Sequence, residues 1–93
     1  MPRTIWKFEW SGRASIMTIE MPKGAVPLSV HPQGTGFNIW AIVDPTKEKE
    51  PRKFLAATTG GDFTETNANY IGTVVLDQGY FVLHIFEILP SVA

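Results

Sequence analysis

YIGTVVLDQGYFVLHIFEIL, Tyr70 to Leu89, decides how the rest of this 93-residue chain is read. Two apolar runs rich in β-branched and aromatic residues flank Asp77-Gln78-Gly79, whose Asp and Gly suit the positive φ of a tight turn. The period is two rather than 3.6, so Tyr80, Val82, His84 and Phe86 share one face. The stretch reads as a β-hairpin.

The same period governs the segments before it. In TIWKFEW, Thr4 to Trp10, the rings of Trp6, Phe8 and Trp10 share one face while Ile5, Lys7 and Glu9 share the other. After Ser11-Gly12-Arg13, Ile16, Thr18 and Glu20 alternate with Met17, Ile19 and Met21, and the two runs are expected to form a hairpin. Pro22 and Gly24 interrupt the pattern. VPLSVHPQ, with prolines at 27 and 32, belongs at a sheet edge or partly outside the sheet, because proline cannot donate to a ladder on both sides. GFNIWAIVDP reads as a strand buried on both faces and ended by Pro45. TKEKEPRK, Thr46 to Lys53, reads as a solvated charged loop, and FLAATTG as a further strand. TTGGDFTETNAN is then a long polar connection, with at most a helical turn between 61 and 69. No window of a dozen residues carries a capped helical pattern. The fold expected is all-β: one domain over 1–93, a small antiparallel sandwich or partly closed barrel of about seven strands with little or no helix.

Composition narrows the function classes. With 44% hydrophobic and 18% charged residues the chain suits one globular core, though a domain of this size has a small stability margin that association would widen. There is no cysteine, so no disulfide framework, thiolate metal site or thiol nucleophile arises. A net charge of −1 provides no general basic footprint for nucleic acid or an anionic membrane. MPRTIWKFEW lacks the apolar core of a signal peptide, and the apolar run at Tyr80 to Leu83 is too short to span a bilayer. Neither a cofactor nor a metal is expected, since His31 and His84 lie on different segments without a carboxylate cluster.

EMPKGA (20–25), WAIVDP (40–45), PRKFLAATTG (51–60), YIGTV (70–74) and FVLHIFE (81–87), in that order, resemble a family of small uncharacterised proteins encoded by phages and prophages. The resemblance implies a cytoplasmic accessory of infection in a bacterial host, of the counter-defence type. Such a protein sequesters a nucleotide messenger or occludes a host defence protein. It also implies a histidine after the Thr-Gly pair in many relatives, where this chain has Gly61.

Residue chemistry supplies the candidate site. Thr58, Thr59, Gly60 and Gly61 could present successive N–H groups to an anion, although the lysine and the following helix of a phosphate loop are absent and an ordinary turn explains the glycines equally. Arg52, entering the same strand, has the planar fork that suits a phosphate; the alternative is a surface cation guarding a strand edge. Trp6 and Trp10 could stack a flat ligand or belong to the core. His84 is either a ligand contact or a hydrogen-bonded histidine on an apolar strand. No catalytic set emerges: the serines lack a nucleophile-elbow context and the acids fall mostly in turns. The reading is a non-catalytic, homo-oligomeric binding protein for a small anionic or nucleotide-like ligand or a host protein. A structural protein acting only through protein contacts is the alternative, and a small nucleotide hydrolase is the least favoured class.

Overall fold

Alternation places one row of side chains from each strand against the opposing layer, and seven strands result among the described residues. They are β1 (Thr4–Trp10), β2 (Ile16–Pro22), β3 (Val26–Gln33), β4 (Gly36–Val43), β5 (Lys49–Thr58), β6 (Ala68–Leu76) and β7 (Phe81–Ile88). The structure, a computed structural model, describes residues 2–10, 14–34 and 36–90. One sheet has the order β1-β4-β3 and the other β2-β5-β7-β6, every hydrogen-bonded pair being antiparallel. The fold is therefore an all-β two-sheet sandwich, as the period-two pattern requires. Its Cα extents of 42 × 36 × 18 Å are those of a thin two-layer slab.

Phe54, Met21, Ile39, Ile85, Val43 and Val74 are the largest fully buried side chains that close the interface between the sheets. Each is worth roughly 1.5–3 kcal/mol against remaining in water. Trp10 joins them at 3% exposure, stacked on Phe37 with ring centroids 5.0 Å apart, and its indole N–H donates to the Ala14 carbonyl at 3.2 Å. At the slab's margin β6 meets β3. A Cβ on Gly72 would lie 3.0 Å from Val30 Cγ2, so the absent side chain sets how closely these strands approach.

Several expectations are met and others corrected. The β6–β7 hairpin forms as read, closing through a single 3-10 turn at Asp77–Gly79 in which Gln78 as well as Gly79 takes positive φ, 56° and 96°. The proline-broken segment is an edge strand, β3, with a bulge between Pro27 and Ser29. By contrast, β1 and β2 do not pair: β1 pairs with β4 and β2 with β5, so the chain turns a corner between sheets. The turn expected at 11–13 lies outside the described residues. The charged loop is shorter than expected, because β5 already begins at Lys49, opposite Pro22. Charges do not prevent strand formation there: alternation turns Glu50 and Arg52 inward and leaves Lys49 and Lys53 outside. β4 is buried on its inner row and at Asn38, but Trp40 and Ile42 on the outer row are only half-buried. The 61–69 connection contains no helical turn.

Candidate functional site

Because β7 lies between β5 and β6, these two flanking strands run parallel, and the connection 59–67 must return along the sheet. It does so over the outer face of β7. Thr59 meets His84, Phe63 packs on Phe86 with centroids 4.8 Å apart, and the Asn67 carbonyl accepts from the Leu89 N–H at 2.9 Å. The start of this strap is a closed turn. Gly61 N–H donates to the Thr58 carbonyl at 3.2 Å, and Gly60 has φ +83°. One N–H that an anion nest would present is thus already used. A Cβ at 61 would lie 2.7 Å from Thr58 Oγ1, so the position favours the glycine present.

Under the strap, cross-strand register aligns outer-face residues into rows: Leu55, Phe86 and Tyr70, then Ala57, His84 and Thr73. A chain of hydroxyls passes through the imidazole. Thr59 Oγ1 is 2.8 Å from His84 Nε2, Thr73 Oγ1 is 3.1 Å from Nδ1, and the Tyr70 hydroxyl is 2.6 Å from Thr73 Oγ1. Hydroxyls both donate and accept, so either neutral tautomer of His84 is satisfied. None of these contacts is a carboxylate that would fix one tautomer, as a triad base requires. The arrangement offers a reversible set of donors and acceptors beside rings: Tyr70 is 60% exposed, Phe63 46%, and Tyr70 meets Phe86 edge-on at 5.4 Å.

Of the residues singled out by sequence, Thr59 and His84 are joined directly, with Thr58, Gly60 and Gly61 in the turn that carries Thr59. Arg52 is on the opposite face of the same sheet. Its Nε donates to Glu87 Oε2 and its Nη2 to Glu87 Oε1 at 2.9 Å, while Glu50 Oε2 lies 3.8 Å from Nη1. The guanidinium is held above its ordinary pKa by the hydrogen bond to Glu87, with burial opposing. Its fork is therefore engaged inside the sandwich. Trp6 and Trp10 belong to the other sheet, Trp10 in the core and Trp6 at its rim, 6.4 Å from Phe8. Lys53 faces outward, as alternation from Arg52 requires. Tyr70, Thr73, Phe63 and Phe86 were not read as site residues. Counting back from the turn at 77–79 pairs Thr73 with His84, which was the available signal.

Among the described residues no group of three His, Cys, Asp or Glu is placed to hold a metal ion, and no helix is long and apolar enough to cross a membrane. A family model described as a domain of unknown function, DUF7352, matches residues 1–91. The chain belongs to the DUF7352 family. No curated protein and no solved structure matches it. In this DUF7352 domain the His84 face is where hydrogen-bonding groups and exposed rings converge.

Proposed function

We propose that this domain is a non-catalytic binding module that captures a flat, nucleobase-like ligand on the outer face of the four-stranded sheet. One observation carries the reading: the Thr59–His84–Thr73–Tyr70 hydrogen-bonded chain lies beside the exposed rings of Tyr70 and Phe63. Aromatic faces stack bases with little regard to sequence, and a mixed donor and acceptor edge reads the polar rim of a heterocycle. Recognition is through the ring rather than a phosphate, since Arg52 is engaged by Glu87 and the 58–61 turn uses one of its N–H groups internally. The resemblance to phage-encoded accessories supports sequestration of a nucleotide-like messenger in an infected bacterial cytoplasm as the biological use.

Calorimetry with adenosine, guanosine, cytidine and uridine, alongside inorganic phosphate, tests the proposal. At least one nucleoside should bind and phosphate alone should not. Tyr70→Ala should weaken binding by about 1–3 kcal/mol, the worth of one base–aromatic stack. Nucleoside binding unchanged in Tyr70→Ala, or absent from the parent, defeats it.

A second reading, assembly through protein contacts, has its own support on the outer face of the three-stranded sheet. Ile5 is 56% and Val26 47% exposed, both registered on Ile42 of β4. Silence of the nucleoside panel together with concentration-dependent association would favour it.

A further inference from the structure

Trp6-Lys7-Phe8-Glu9-Trp10 reads the same in both directions about Phe8, except that the flanking charges are opposite. These five residues lie on β1, an edge strand whose single hydrogen-bonded neighbour among the described residues is β4. We propose that β1 pairs with β1 of a second copy, antiparallel about a two-fold axis through Phe8. The two three-stranded sheets then become one continuous six-stranded sheet.

A two-fold antiparallel pair centred on residue 8 places residue i opposite residue 16 − i of the other copy, a self-complementary contact. Lys7 then faces Glu9 of the partner subunit, and Glu9 faces Lys7 of the partner subunit. Both side chains are exposed on the outer face. On the inner face Trp6 faces Trp10 of the partner subunit, and Phe8 faces its own counterpart. Aromatic pairs and opposite charges directly across are the pairs that stabilise a ladder. Trp6, 36% exposed at the rim of its own core, is the inner-row ring of this strand with most surface left for the partner subunit to cover.

Other edges fit this partner less well. β3 carries two prolines and a bulge, and β6 a bulge between Tyr70 and Gly72, devices that blunt an edge. β2 is regular, but a two-fold on Ile19 would set Thr18 against Glu20, with no matching charge. Along β1 the register runs unbroken from Thr4 to Trp10. The His84 face belongs to the other sheet, so self-association and nucleoside binding can fail separately.

Charge exchange tests the pairing. Sedimentation and native mass spectrometry of the full chain should show a dimer. Lys7→Glu and Glu9→Lys should each weaken it about tenfold, by setting like charges opposite each other at two symmetric positions. Mixing the two variants should restore assembly as a heterodimer, and the double variant Lys7→Glu/Glu9→Lys should restore the homodimer. Thermal midpoints within a few degrees of the parent establish that the exposed substitutions leave each chain folded. A parent that stays monomeric to ~1 mM overturns the proposal. So do single variants that self-associate like the parent, or a mixture that yields no heterodimer.

Discussion

Truncating Arg52 to alanine should destabilise the sandwich by about 3 kcal/mol, because its guanidinium is the bidentate donor to a carboxylate turned into the protein. The Arg52 side chain is 16% exposed and that of Glu87 7%, so most of the pair's solvation has been exchanged for mutual contact. Removing one member of a fully buried pair costs about 3–5 kcal/mol, since the other charge is left without compensation. Residual water at Arg52 places the value at the lower end. Glu50 does not rescue Glu87, being another anion. Unfolding entropy of about 2.1 cal/mol/K per residue gives roughly 0.2 kcal/mol/K for a chain this long, so the midpoint should fall about 15 °C. Thermal and urea unfolding followed by tryptophan fluorescence would measure it. Arg52→Met/Glu87→Leu, which removes both charges and retains volume, should return to within about 1 kcal/mol of the parent. A midpoint for Arg52→Ala within 3 °C of the parent would refute the argument and return Arg52 to the role of a free surface cation.

Gly72→Ala should destabilise by about 1 kcal/mol, because its Cβ meets Val30 Cγ2 at 3.0 Å where β6 approaches β3; equal urea midpoints would show that Val30 gives way freely. Gln78→Gly should stabilise by about 0.5 kcal/mol, relief of the positive φ exceeding the added freedom of the unfolded chain, and the same unfolding assay reads the sign. Asp44 accepts hydrogen bonds from the Thr46 hydroxyl at 2.6 Å and the Thr46 N–H at 3.0 Å, which hold its carboxyl below the usual range, the hydroxyl contributing most. A lowered folded pKa means that its contribution is present above the ordinary aspartate value and is lost as pH falls through the folded one. NMR titration should find the Asp44 value higher in Thr46→Ala than in the parent, and coincident curves would exclude the hydroxyl as the cause.

How much of this was legible depended on distance along the chain. The β6–β7 hairpin could be read because its strands, turn and register are contiguous, and the edge position of β3 because proline acts locally. The β1–β2 hairpin was misread for a physical reason: a short turn joins two strands of one sheet or carries the chain between sheets with the same residue types. The distinction rests on β4 and β5, which come later in the chain and take β1 and β2 as their partners. The start of β5 was missed because Lys49, Glu50, Arg52 and Lys53 look solvated until Glu87, 35 residues beyond Arg52, is known to face the same interior. In the candidate site, His84 and Thr59 stood out by residue type. Thr73 could be reached by counting back along the hairpin, whereas Tyr70 could not, because the bulge between Tyr70 and Gly72 shifts it opposite Phe86.

The insertion of β7 between β5 and β6 also sets an order of assembly during synthesis. β5 and β6 leave the ribosome before β7, yet in the finished sheet they never touch as neighbours. Until residues 81–88 arrive, β5 offers an unpaired edge and the 59–67 strap has nothing beneath it, so the nascent chain presents an open template for other strands. One of the two interior strands of the larger sheet is laid last, and closure of the His84 face coincides with its arrival. A chain stalled after β6 is therefore expected to be prone to aggregate and to lack His84 and Phe86 of the candidate site, since both lie on the strand that arrives late.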